Sequence, residues 1–232
     1  MYLLYNHVLK VNMYDGKNLV NQVNASFSFD RYHNLEERVF NVKGYADLVD
    51  AVLKSKSIGS NKITINLLPG DYNATSSIAW DDILYPRATL IINGNNILLN
   101  GKNNYQFMSI GDSNKVILND MTLKNFTSSG NGGAISNNGS LEVNNMTFEG
   151  NTAVNGGAIA NYNTLNIHDS TFTSNKAAYG GAIWSNNRIT SNNNLFVNNS
   201  AISGGAQFFN QSFSDSIIND TYINNRASED FI

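Results

Sequence analysis

Gly132-Gly133-Ala134-Ile135, Gly156-Gly157-Ala158-Ile159 and Gly180-Gly181-Ala182-Ile183 repeat one tetrapeptide every 24 residues, and an altered copy, Gly204-Gly205-Ala206-Gln207, keeps the spacing. A fixed period over four copies marks a repeat architecture, in which each unit is one small module that cannot bury its apolar face alone. A second signature runs in phase: Phe148-x-x-Asn151-x-Ala153, Phe172-x-x-Asn175-x-Ala177, Phe196-x-x-Asn199-x-Ala201 and, after a step of 26, Tyr222-x-x-Asn225-x-Ala227. Between the two signatures, Leu141-Glu142-Val143 and Leu165-Asn166-Ile167 alternate with the two-residue period of a strand.

Leucine-rich repeats share this length range, but their Leu-x-x-Leu-x-Leu framework is missing and Gly and Asn punctuate the units instead. The pattern predicts an all-β chain: a right-handed parallel β-helix (solenoid) with an N-terminal capping helix. One unit then makes one coil, and coils stack at the inter-strand distance of ~4.8 Å. Ile135, Ile159 and Ile183 form one interior column, and Phe148, Phe172 and Phe196 another. Asn151, Asn175, Asn199 and Asn225 form a third, each amide bonding to the one above and below as in cross-β ladders. The Gly pairs supply the positive-φ corner.

The Gly-Gly-Ala-Ile block followed in phase by Phe-x-x-Asn resembles the repeat of the polymorphic outer-membrane proteins of chlamydiae. From about Phe40 onward the chain is also similar to the Asn/Thr-rich adhesin-like surface proteins of methanogenic archaea. The landmarks are Asn66-Leu67-x-Pro69-Gly70-x-Tyr72-Asn73, Leu90-Ile91-Ile92-Asn93-Gly94-Asn95 and Tyr105-Gln106-Phe107-Met108. The resemblance implies a right-handed β-helix displayed at a cell surface, and it implies no catalytic site.

Composition agrees with a stacked fold. Charged residues are 14% of the 232-residue chain and the net charge is −3, so there is no electrostatic footprint for nucleic acid or an anionic membrane. Uncharged amides are what a column tolerates, because like charges placed over one another repel. Cysteine is absent, which excludes a disulfide framework and Cys-based metal or nucleophile chemistry. No run approaches the ~20 apolar residues of a membrane span, and Met1-Tyr2-Leu3-Leu4-Tyr5 stops at Asn6, too short for a signal peptide. If the resemblance holds, leader and anchor lie outside this chain and the location is extracellular or at the cell surface.

Three regions are expected. Residues 1–38 form a short N-terminal segment with a turn signal at Asp15-Gly16. It is the remnant of a preceding domain, a strand that pairs with the first coil, or a disordered tail. Residues 39–60 hold a capping helix and loop, with Leu48, Val49, Val52 and Leu53 on one face and Asp47 and Asp50 on the other. Residues 61–232 are the β-helix, truncated at the C-terminus. Its first strand holds Ile63, Ile65 and Leu67, and three less regular coils follow on Leu90-Ile91-Ile92, Ile97-Leu98-Leu99 and Val116-Ile117-Leu118. The largest excursion is the loop from Thr75 to Arg87, with Trp80, Asp81, Asp82 and Pro86.

Right-handed β-helices also carry pectate lyases and polygalacturonases, and fold does not decide function. Glycoside hydrolysis needs two carboxylates on one face. Within the regular coils the acids are Glu142, Glu149 and Asp169, and their columns continue as Asn166 and Thr190, as Thr173 and Val197, and as Asn145 and Asn193. No two carboxylates stack. Asp81-Asp82, Asp112 with Asp120, and Asp215 with Asp220 remain as scattered candidates whose ordinary role is in turns. His7, His33 and His168 are far apart in sequence, with His168 in a column between Asn144 and Asn192. No catalytic, cofactor-binding or metal-ligating residue is assigned.

One column carries a binding hypothesis. Ser136, Ala160, Trp184 and Phe208 are equivalent, and strand alternation turns them outward if the Ile column points in. Trp184 and Phe208 are the candidate ligand-contact aromatics. The competing expectation is that the last coil shifts register at Gln207 and Phe208 packs inside. The function expected is a non-enzymatic adhesin-like module, a stalk or binding face toward glycans or surface proteins of a host or neighbouring cell. The alternatives are a polysaccharide-active enzyme of the pectate lyase or glycoside hydrolase kind, with its site in the irregular coils or in a part of the protein missing from this chain, for which convergence of Asp81, Asp82, Asp112 and Asp120 on one groove is the discriminating observation, and a spacer without ligand.

Overall fold

The structure is a computed structural model that describes residues 4–15, 18–30, 37–57, 60–81, 88–211 and 215–228, with side chains from Glu37 onward. It divides into two compact units, Met1–Glu36 and Glu37–Ile232. The first is an antiparallel hairpin of Leu4–Asp15 and Asn18–Asp30, whose strands pair with each other from Leu4↔Asp30 to Asp15↔Asn18. The ladder thus ends at the Asp15-Gly16 turn signal. The side chain of His7 and all of His33, Asp82 and Pro86 lie outside the described residues.

The second unit is a parallel β-solenoid of about seven turns. Each regular coil runs through three corners at which one residue takes a positive φ. The first corner column is Asp120, Asn145, Asp169, Asn193 and Asn219, with φ of 55, 51, 52, 60 and 57°. Asn and Asp tolerate this region because their short polar side chains bond locally. The second column is Asn125, Gly150, Ser174, Asn198 and Asn224, and the third is the leading glycine of each Gly pair, Gly132, Gly156, Gly180 and Gly204.

Between the corners every strand pairs with its equivalent one coil away. Leu141 pairs with Leu165 and Leu165 with Ile189; Ile159 pairs with Ile135 and Ile183; Phe148 pairs with Phe172 and Phe172 with Phe196. The inward residues at these positions have 0% exposure, and each such large side chain contributes about 1.5–3 kcal/mol by leaving water. The phenyl rings stack with centroids 4.7 and 4.9 Å apart and planes within 8° of parallel, because the strand repeat sets their spacing. Tyr222 ends this pile at 5.0 Å from Phe196.

Beside the rings runs the buried amide ladder. Asn175 Nδ2 donates to Asn199 Oδ1 and to the Phe148 carbonyl, both at 3.0 Å, and Asn175 Oδ1 accepts from the Asn151 backbone N–H at 2.9 Å. Asn151, Asn175 and Asn199 have 0% exposure, and these bonds keep the cost of burying amides low. A second buried ladder, Asn137–Asn161–Ser185, runs at the end of the short strands. An outer ladder joins Asn41, Asn66, Asn93, Asn119 and Asn144, and His168 continues that column.

Three sequence expectations change. Leu90–Ile92 and Ile97–Leu99 are not separate coils: both belong to the strand Thr89–Asn100, where Leu90 pairs with Val116 and Ile97 with Met121 of the next coil. The run bends at Asn95 and Asn96, both at positive φ, so one strand covers two faces of one turn. The stack also begins before the helix. Arg38–Gly44 pairs in parallel with Lys62–Asp71, with Phe40 opposite Ile65, and the helix Tyr45–Ser55 follows it. The buried stripe of that helix is Tyr45, Leu48, Ala51, Val52 and Ser55, whereas Leu53 is 58% exposed. Tyr45 is held by its hydroxyl, which donates to the Ser76 carbonyl at 2.8 Å, and burial raises its pKa.

At the opposite end, Ile217, Ile218, Tyr222 and Ile223 are 42–51% exposed, although Phe196 directly beneath Tyr222 is fully buried. Few apolar contacts from above means a low local opening free energy. Backbone amides of Ile217, Tyr222 and Ile223 are therefore expected to exchange with deuterium at least about tenfold faster than those of Val143 and Phe148. Equal protection along the stack, measured by hydrogen exchange, would contradict this.

Candidate binding face on the short-strand sheet

Six three-residue strands, Ile78–Trp80, Met108–Ile110, Ile135–Asn137, Ile159–Asn161, Ile183–Ser185 and Gln207–Phe209, form one parallel sheet. With three residues per strand, the first and third side chains point in and only the middle one points out. The outward column is Ala79, Ser109, Ser136, Ala160, Trp184 and Phe208. Register is kept to the last coil, Gln207 pairing with Ile183 and Phe208 with Trp184, so the expected register shift does not occur. Gln207 instead continues the inward Ile column: its Oε1 accepts from the Tyr222 hydroxyl at 3.0 Å, and its buried Nε2 has no partner.

Trp184 and Phe208 do not stack on each other. Trp184 packs at a tilt against Tyr162, with centroids 5.0 Å apart, and Phe208 against Tyr179 at 5.5 Å. Trp184 is 8% exposed yet is not part of the contiguous hydrophobic core; it is covered on the outer face. Ala160, its partner one coil below, is fully covered. Tyr179 is 41% exposed and Phe208 half-buried. Burial raises the pKa of Tyr162. The accessible rim is therefore Tyr179 and Phe208, and Trp184 with Tyr162 forms the support beneath.

The two tyrosines were not singled out in the sequence. Their signal is the same 24-residue arithmetic applied to flanking columns: Tyr179 bridges Asn155 and Ser203, and Tyr162 lies beyond the strand end, where Asn138, Asn186 and Asn210 occupy the equivalent positions.

Among the described candidate acids, Asp81 and Asp112 are neighbours, and the others lie elsewhere on the coils. Asp81 pairs with Lys56 at 2.6 Å and lies beside Gly111, next to exposed Asp112. Asp120, at the first corner, accepts from Asn145 Nδ2 at 2.7 Å. Asp215 accepts from the Ile189 N–H at 3.0 Å, and Asp220 from the Asn194 N–H at 2.8 Å and from the Ser191 hydroxyl. Glu142 and Glu149 pair with Lys115 and Lys124. Among the described residues no group of three His, Cys, Asp or Glu side chains is placed to hold a metal, and no helix is long and apolar enough to cross a membrane.

Residues 145–162 and 169–186 match the Chlamydia polymorphic membrane protein repeat. Each matched segment opens on a first-corner residue, Asn145 or Asp169, and runs through the stacked Phe, the ladder Asn and the Gly-Gly-Ala-Ile block. The repeat therefore spells out the parts that close one coil and seat it on the next. The outward position between its Ile and the following inward residue holds Ala160 in one copy and Trp184 in the other. No curated protein and no solved structure matches the chain.

Proposed function

We propose that the chain is a non-enzymatic, adhesin-like β-solenoid of the cell surface or extracellular space, which presents the aromatic strip of Tyr162, Tyr179, Trp184 and Phe208 to uncharged sugar faces of an opposing surface. The strip carries the proposal: rings set side by side on a rigid outer face offer C–H and π contact at little ordering cost. The match of two coils to a membrane-protein repeat supports the location. The engagement of most described carboxylates as ladder acceptors or ion-pair partners supports a non-catalytic role, since paired acids free to exchange protons are what glycoside hydrolysis requires.

The test compares wild type with Tyr179→Ala and Phe208→Ala on immobilised neutral glycans. Loss of binding by roughly tenfold or more, with the melting temperature within a few degrees of wild type, is expected for rings at an accessible rim. Trp184→Ala is expected to lose binding and some stability together, because Trp184 supports the rim from a nearly buried position. Binding that survives both rim substitutions overturns the aromatic strip as the contact, and a wild type that binds no glycan leaves the spacer reading. Release of reducing ends or unsaturated products from an oligosaccharide would establish the enzyme instead.

A further inference from the structure

A cleft of about 200 Å³ opens on the segment between the second and third corners, lined in part by Lys176, Ala177, Ser200, Ala201, Arg226 and Ser228. Lys176, Ser200 and Arg226 occupy three successive levels of one column, since Lys176 bridges Ser200 and Ser200 pairs with Arg226. One level lower the column holds Thr152. The two cations therefore bracket a hydroxyl, with backbones about 10 Å apart at ~4.8 Å per level. Ala177 and Ala201, 9% and 7% exposed, form an apolar floor between them. Lys54, Lys56, Lys62, Lys115 and Lys124 each pair with a carboxylate, whereas Lys176 and Arg226 have no ion-pair partner among the described residues. Glu229 and Asp230 follow in the sequence, outside the described residues.

We infer that this cleft is a binding site for an acidic oligosaccharide that carries carboxylates on alternate sugars. Arg226 presents a planar fork that suits a carboxylate, and Lys176 a mobile point charge two levels away. Ser200 and Ser228 supply hydroxyls for the sugar between the charges, and the alanine floor accepts the C–H face of a ring. The straight, periodic column fixes the spacing of the two backbones from which the cations extend, which favours a stiff chain with regularly placed anions over a lone anion or a flexible acidic peptide. The site is separate from the aromatic strip, and its outcome does not depend on that reading.

The test is calorimetric titration of the full chain with a hyaluronan tetrasaccharide, in which every second sugar is a uronate. Chitotetraose serves as the neutral control, and triglutamate and sodium sulfate as the other anions. The variants K176T and R226S place in the column residues that it already holds at Thr152 and Ser200, so the coil is preserved; melting curves verify this. Each single variant is expected to weaken hyaluronan binding roughly tenfold, and raised salt to weaken the wild type. E229Q/D230N is expected to bind at least as tightly as wild type. The inference is overturned if the tetrasaccharide does not bind, if both single variants bind it as wild type does, if E229Q/D230N binds more weakly, if triglutamate or sulfate binds equally well, or if chitotetraose binds equally well and loses that binding in K176T and R226S; chitotetraose binding that K176T and R226S leave unchanged belongs to the aromatic strip.

Discussion

Asn175→Ala is expected to destabilise the solenoid by about 3 kcal/mol or more, because it strands buried polar groups on two coils at once. The amide of Asn175 accepts from the Asn151 backbone N–H at 2.9 Å and from Asn151 Nδ2 at 3.0 Å, and it donates to the Phe148 carbonyl and to Asn199 Oδ1. Alanine satisfies none of these, and at 0% exposure no water replaces it. A loss of this size is a large fraction of the roughly 5–15 kcal/mol that holds a typical domain together. The contrast is Asn144→Ala in the outer ladder. Asn144 is only partly buried where its Nδ2 donates to Asn119 Oδ1 at 3.0 Å, so water takes over its bonds and the expected cost is below about 1 kcal/mol. Denaturant titration of the two variants decides the matter. Equal midpoints would mean that the buried ladder does not hold the coils together.

Gly157→Ala is expected to be comparably damaging, and for a steric reason. A β-carbon at Gly157 would lie 2.1 Å from the Gly181 carbonyl oxygen and 2.7 Å from the Lys176 nitrogen. Both are backbone atoms of the next coil, so no side chain can swing aside. Relief requires the coils to separate where Gly157 N–H donates to the Gly180 carbonyl at 3.1 Å and Ala158 N–H to the Ala182 carbonyl at 2.9 Å. Overpacking of this kind costs about 3 kcal/mol or more when backbone must move. Gly130→Ala meets nothing within 4 Å and is expected to leave the melting temperature within about 2 °C of wild type. A Gly157→Ala protein that is soluble and melts with wild type would refute the close-approach argument.

This pair of variants also separates the two members of each Gly-Gly block. Gly156 turns the corner at φ +64°, which the sequence pattern implied. Gly157 is required by proximity to another coil, which a tetrapeptide read alone does not reveal. The irregular coils show the same division. In the regular part a constant spacing of 24 residues is enough to place Phe148 beneath Phe172 and Asn151 beneath Asn175. Nearer the helix the outer Asn ladder advances by 25 to 27 residues per coil, from Asn41 to Asn66, Asn93 and Asn119. Without a constant period, Leu90–Ile92 and Ile97–Leu99 looked like two coils although they are two faces of one.

By itself, then, the sequence determined the parallel stack and the identity of its Ile, Phe and Asn columns, and it left open whether Phe208 faces out or in. Repetition makes vertical register a matter of counting along the chain. Only the tertiary structure decided what each column meets sideways. Trp184 turned to Tyr162, Phe208 to Tyr179, and Lys176 and Arg226 came to flank one alanine-floored cleft, because corner dihedrals and side-chain packing between columns set these contacts, and neither carries a period that a linear sequence displays.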